Sequence, residues 1–201
     1  MIVVLFGPPG SGKGTQAERI AALMGIPHVS TGEILRAEAA SGSALGREAA
    51  LIMQTGALIP DDLMIRIIEQ RIAQPDAGKG VVLDGFPRTV AQAEALERML
   101  ERAGPSVLVV VCLDVSPEQV RERILRRAQI DGRKDDTADT FSERMRVYER
   151  ETAPVVDHFR AAGVRIERID GAPPADQVTE QIVRVLGVPD TDRPRSVATS
   201  S

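Results

Sequence analysis

The chain has no tryptophan and no asparagine, one tyrosine (Tyr148), one cysteine (Cys112) and only three lysines in 201 residues. Each scarcity excludes something. A single cysteine permits no internal disulfide and no cysteine-based zinc site. Cys112 lies within "VLVVVCLDV" and reads as a buried, inert thiol. Aromatic residues make up 2%, too few for the stacking platforms that grip single-stranded nucleic acid. Without asparagine there is no N-K-x-D element, so a guanine-reading switch is excluded. No apolar run approaches the ~18 residues of a membrane span. "MIVVLF" has no basic segment before it and reads as a strand, not a signal peptide. A net charge of -4 points to no nucleic-acid or membrane partner. The expected compartment is the cytoplasm.

The length suits one domain with a sizeable core. Short β-branched runs alternate with helical patterns. "IVVLF", "PHVS", "VVLD", "VLVVVCL" and "VRIERI" read as five strands. Helices are expected over Lys13 to Met24, Val90 to Ala103, Pro117 to Ala128, Thr140 to Ala162 and Ala175 to Leu186. Such alternation implies an α/β fold, with a parallel sheet flanked by helices. Two segments depart from it. Thr31 to Ala73 is mostly helical and too long for one crossover, so it reads as a helical insertion. "AQIDGRKDDTAD", Ala128 to Asp139, has no apolar period and reads as a mobile loop. The end after Val188 has the composition of a flexible tail.

Strand one runs into Gly7-Pro8-Pro9-Gly10-Ser11-Gly12-Lys13 and then a helix. This fits the phosphate-loop pattern G-x-x-x-x-G-K in its required context. Glycines let successive N–H groups face phosphate oxygens, the helix start adds its positive end, and Lys13 reaches the terminal phosphates. A plain glycine-rich turn is the competing reading, and the placement of Lys13 argues against it. The usual Ser or Thr after the lysine is replaced by Gly14, with Thr15 one place late. "VVLDGFPR" supplies a strand-end Asp84, which can hold magnesium directly or through waters, or can cap a turn. The phosphate loop favours the metal reading. Among the arginines, which make up 22 of the 25 basic residues, Arg88 stands out. It follows Asp84 by four residues, at the sheet edge where open α/β folds bind ligands. Arg133 lies in the polar loop, where closure could deliver it to phosphates.

Six ordered segments carry a specific likeness: "GPPGSGKGTQA", "STGEILR", "GALIPDDL", "LDGFPRTVAQAEAL", "GRKDDTADTFSERMRVYERETAPV" and "IDGAPP". From Ile2 to about Gly187 the chain resembles the adenylate kinases. The resemblance implies a P-loop NTPase fold with a five-stranded parallel sheet, a helical NMP-binding insertion (30–59) and a short lid loop (126–137). The core would comprise 1–29, 60–125 and 138–187, followed by a flexible tail (188–201). Gly10, Ser11, Gly12, Lys13, Gly14 and Thr15 would wrap the ATP phosphates, with Arg123 and Arg127 also meeting ATP. The Pro173 carbonyl would meet its adenine. Thr31 and Arg36 would contact AMP, and Ala57, Leu58 and Ile59 would line its adenine pocket. Gly85, Phe86, Pro87, Arg88 and Gln92 would complete that pocket, Arg88 on the phosphate and Gln92 on the base. Arg133 and Arg144 would bridge the transferring phosphoryl group and AMP. Lys13, Arg88, Arg123, Arg133 and Arg144 would then be the catalytic set. Magnesium would ride on ATP oxygens, with Asp84 holding it through water. The short lid implies no structural zinc. ATP, AMP and ADP would be the only partners of a monomer. His28 and His158 match no functional position of the family. A kinase of the same fold acting on UMP or CMP is the nearest rival, and Thr31 and Gln92 argue against it. A non-catalytic ATP-binding module is opposed by Lys13, Asp84 and Arg88 all being present.

The planar guanidinium expected on the closing loop holds two phosphate oxygens at once, which an ammonium cannot. Arg133→Lys should lower kcat toward the lower end of the ~10^3 to 10^5 that arginine fingers contribute. Binding of ATP and of AMP, each measured alone by calorimetry, should change much less. A normal kcat with a raised KM would reduce Arg133 to a capture residue.

Overall fold

The computed structural model describes residues 1–104, 107–131 and 138–188, without the side chains of residues 44, 45, 127–131 and 138. Five strands form one parallel sheet: β1 (Ile2–Phe6), β2 (His28–Ser30), β3 (Val81–Asp84), β4 (Leu108–Asp114) and β5 (Arg165–Asp170). Their order is β2-β3-β1-β4-β5. The central strands are apolar at nearly every position because helices cover both faces. Alternate residues of β1 serve opposite layers. Val3 and Leu5 pack with Ala17 and Ile20 of α1 (Lys13–Met24). Val4 and Phe6 belong to the other cluster, whose helical residues come from elements described next.

Between β2 and β3 run α2 (Thr31–Ser41), α3 (Ala44–Thr55) and α4 (Asp61–Ile72). The Ser30 hydroxyl caps α2 by accepting from the Glu33 N–H, a pairing visible in "STGE". Gly42 ends α2, and Ser43 caps α3 through the Gly46 N–H, so helix resumes at once. After β3 comes α5 (Val90–Ala103), capped by Thr89. After β4 comes α6 (Pro117–Asp131), three residues longer than predicted. Gln129, Ile130 and Asp131 include no glycine or proline, and the first glycine is Gly132. Of the rest of the predicted loop, 132–137 lies outside the described residues, and Ala138 and Asp139 already belong to the next helix.

The single helix expected over Thr140 to Ala162 is in fact two. α7 (Ala138–Val147) passes through one wide π-type turn, Tyr148–Thr152, into α8 (Ala153–Ala161). Pro154 has no N–H to donate, so it suits the first turn of a new helix and not the interior of a long one. Phe159 of α8 is fully buried and meets the Phe6 ring edge to face, with centroids 6.3 Å apart. The last helix, α9 (Ala175–Leu186), packs on α1's side of the sheet through Val178 and Ile182. Among the described residues no helix is long and apolar enough to cross a membrane.

Gly56 ends α3 with a left-handed φ of 78°. A Cβ there would lie 3.1 Å from the Thr140 carbonyl oxygen and 3.3 Å from Cγ of Arg144, so only glycine lets α3 end against α7. The Thr140 hydroxyl donates across the same seam to the Gln54 carbonyl.

Cys112 is buried in β4, and burial pushes its thiol up to about 11. At pH ~8 the native thiolate should be over ~100-fold scarcer than in an unfolded chain, where a cysteine titrates near 8.5. Iodoacetamide should therefore label the protein in urea and leave the native form almost unmodified; equal rates would contradict the burial.

Candidate active site

The strand ends place the chemistry. Leu5 stands opposite Asp84 across β1 and β3, and Ser30 stands opposite Asp84 across β2 and β3. The phosphate loop, the start of α2 and the Gly85–Arg88 turn thus leave the sheet side by side. They open onto a cleft of about 890 Å³.

At one end lies the phosphate loop. Gly10, Ser11, Gly12, Lys13, Gly14 and Thr15 all line the cleft. Gly10 has φ 84°, and a Cβ there would come within 2.7 Å of Ile124 Cγ1 on α6, so the loop lies flush against that helix. The Lys13 ammonium donates to the carbonyls of Gly7 (2.7 Å) and Pro8 (2.8 Å), folding its stem over the loop. Arg123 of α6 donates to the Ser11 carbonyl and to those of Gly171 and Ala172. It ties the phosphate loop to the segment holding Pro173, which also lines the cleft.

At the other end, Thr31, Arg36, Ala57, Leu58, Ile59, Gly85, Pro87, Arg88, Gln92 and Arg144 line the same cleft. The Thr31 hydroxyl donates to the Gly85 carbonyl (3.1 Å), so toward a ligand it can only accept. Arg88 Nε donates to the Gly85 carbonyl, and the Thr152 hydroxyl donates to the Arg88 carbonyl. Burial pulls the Arg88 guanidinium below its ordinary pKa; Asp84 opposes this and the Arg144 charge adds to it. Lys13, Arg36, Arg88, Arg123 and Arg144 thus face one cleft, against the carboxylates of Glu18, Glu33 and Asp84.

Phe86 departs from expectation. Its ring is 1% exposed, packed in the core beside Leu83, and does not line the cleft. An aromatic ring gains more from leaving water than from facing a polar cavity. The Arg127 side chain and Arg133 lie outside the described residues. Two neighbours of the site were given no role from sequence. Asp61 bonds both Thr89 and Gln92, and His28, assigned no role from sequence, has Nε2 3.9 Å from Asp84 Oδ2. The acidic start of α4 was the available signal for the first; for the second there was none.

Asp84 bears on magnesium. Burial by itself raises its carboxyl pKa, but His28, Lys13 and Arg88 outweigh that and hold it below the usual value. It is therefore an anion at neutral pH. A Cβ on Gly14 would sit 3.4 Å from Asp84 Oδ2, so glycine keeps the space before this carboxylate clear. No group of three or more ligating side chains gathers among the described residues. One carboxylate beside a phosphate loop fits magnesium, which keeps several waters and leans on substrate phosphates.

The family model for adenylate kinase matches residues 5–164. The chain belongs to the adenylate kinase family. An adenylate kinase of Xanthomonas euvesicatoria pv. vesicatoria (strain 85-10) is 46% identical over 187 residues, covering 93% of this chain and all of the relative. One from Stenotrophomonas maltophilia (strain K279a) is 45% identical over 186 residues, covering 92% of this chain and 99% of the relative. Within an adenylate kinase, the two-ended cleft is one continuous site. The phosphate loop forms one end and the Thr31–Arg88–Gln92 group the other.

The depressed Asp84 value has a signed consequence. A folded-state pKa below the unfolded one contributes stability that is present above the unfolded value and lost as pH falls through the folded value. The stability of wild type relative to Asp84→Asn should therefore decline as pH drops below ~4. Urea unfolding across a pH series measures it. A relative stability that rises on acidification would mean the carboxyl is raised in the fold.

Proposed function

We propose that the protein catalyses ATP + AMP ⇌ 2 ADP. The observation that carries this is a single cleft with a phosphate loop at one end and an arginine- and amide-bearing pocket at the other. Two nucleotides fit that arrangement with their phosphates meeting between Lys13, Arg88, Arg123 and Arg144. An AMP phosphate oxygen attacks the γ-phosphorus in line. The new O–P bond forms as the bond from γ-phosphorus to the bridging oxygen breaks, leaving ADP on each side. The acceptor oxygen is already anionic near neutral pH, so no strong base is required. Positioning and charge carry the catalysis.

Each residue has a share. The loop amides and Lys13 hold the donor phosphates, and Arg123 braces the loop. Arg88, with Arg36, holds the acceptor phosphate. Arg127 meets the donor nucleotide, and Arg144 with Arg133 on the lid serves the phosphoryl group in transit. Thr31 and Gln92 read the acceptor base, with Ala57, Leu58 and Ile59 as its apolar bed. Magnesium carried on ATP would supply further charge neutralisation to the phosphates. Asp84 is the residue that would hold it, through water. Segment 30–59 is the acceptor-binding insertion and 126–137 the lid. Closure over both nucleotides keeps water from the γ-phosphate. The family resemblance carries with it a cytoplasmic monomer whose partners are nucleotides alone.

A phosphoryl-transfer assay with ATP against AMP, UMP, CMP and GMP tests the reading. A buried hydrogen-bonding pocket penalises a wrong base, by as much as ~10^4-fold. AMP should be preferred in kcat/KM over all three others. Comparable values for UMP would give the site to a pyrimidine kinase. Lys13→Ala should remove most activity and leave the protein folded, because the side chain fills no core space and donates to carbonyls of the phosphate loop itself.

A further inference from the structure

Gln92 faces the cleft while 2% exposed, so its amide is nearly sealed from water. Its hydrogen bonds are set on two sides. Oε1 accepts from the Arg88 backbone N–H at 2.8 Å. Nε2 donates to Asp61 Oδ1 at 2.7 Å. The other Asp61 oxygen, Oδ2, accepts from the Thr89 hydroxyl at 2.8 Å, and the Thr89 oxygen accepts from the Gln92 N–H. Asp61 itself does not line the cleft.

We propose that Asp61 is a positioning residue that sets the acceptor base, by locking the Gln92 amide in one of its two orientations. A glutamine amide looks almost the same after a half-turn, but its donors and acceptor exchange places. A carboxylate only accepts and a backbone N–H only donates. Turned over, the amide would aim its oxygen at the Asp61 carboxylate and its NH2 at the Arg88 N–H. Both contacts would repel in a site closed to water. The bond to Asp61 is charge-assisted and is the stronger of the two restraints. Thr89 in turn holds the carboxylate so that Oδ1 faces Nε2.

The lock leaves Gln92 one N–H and one lone pair, on neighbouring atoms of one plane. Adenine offers the complement side by side: an amino-group donor and a ring-nitrogen acceptor. A 6-oxo purine offers the reverse, an oxygen acceptor beside a ring N–H. It matches only the flipped amide. Asp61 therefore selects 6-amino over 6-oxo purines without touching either. This rests on the proposed AMP acceptor site and assigns its base selectivity to a residue outside the cleft.

The probe is the ratio of kcat/KM for AMP to that for IMP, which differ at the purine 6-position and in ring N1 protonation. It is measured for wild type, Asp61→Leu and Asp61→Asn. Leucine removes both acceptors. It should lower the AMP:IMP ratio by at least about tenfold, the worth of a buried charge-assisted bond. The loss should fall mainly on KM for AMP, with KM for ATP within about twofold, since the phosphate loop makes no bond to Asp61. Asparagine keeps one neutral acceptor and should fall between. Should the leucine variant not fold, the near-isosteric asparagine variant decides, with an expected loss of about threefold in the same ratio. Equal losses for AMP and IMP, leaving the ratio unchanged, would overturn the proposal and make Asp61 a tie between α4 and α5 only. A wild type that does not prefer AMP to IMP would overturn the acceptor reading and this inference together. A wild type that does, with variants that keep the preference, would overturn this inference alone.

Discussion

The cleft depends on the parallel register of β1 with β3. Leu5 opposite Asp84 brings the phosphate loop and the Gly85–Arg88 turn out of the sheet at one level. A slip of one residue would exchange the two faces of a strand. Val3 and Leu5 would leave the α1 layer, and Val4 and Phe6 would enter it. Asp84 would move along the strand, away from Gly14. The sheet tolerates no such slip because both faces are buried and differently shaped. The site's geometry is thus a by-product of packing a two-sided core.

Charge in the cleft is arranged differently from charge on the surface. Arg71 and Arg168 pair with the carboxylates of Asp76 and Asp114. Arg88 and Arg123 instead direct their N–H groups to backbone carbonyls. A carbonyl orients a guanidinium without cancelling its charge. The cleft gains fixed cations that still project a positive field toward incoming phosphates. Asp84 is the counterweight, and its charge offsets part of what burial takes from the Arg88 pKa.

Much of this was legible in the sequence, and what was not has physical causes. Strand periods and glycine spacing are local, so β1, the phosphate loop, α1 and the strand-end Asp84 could be read directly. Arg88 and Gln92 were legible through the motif that contains them. The bonds that hold them were not. Arg123 meets the Gly171 carbonyl across 48 positions, and a backbone acceptor leaves no mark on residue type. Asp61 meets Gln92 across 31 positions, and an acidic first turn is common to many helices. The wide turn at Tyr148–Thr152 was hidden because residues on both sides favour helix, and only Pro154 hinted at the break. Phe86 was carried along with its motif although its own chemistry belongs to the core.

The glycine that closes α3 has a mechanical meaning. Gly56 is immediately followed by Ala57, Leu58 and Ile59, the apolar lining of one end of the cleft, while the helix it touches carries Arg144. With no side chain between them, the Gly56 backbone meets the Thr140 carbonyl like two gear teeth in mesh. A displacement of the α3 side would press directly on the helix that carries the cleft-lining Arg144. A methyl group at position 56 would act as a shim, holding that helix off its neighbour and introducing play into a joint that now has none.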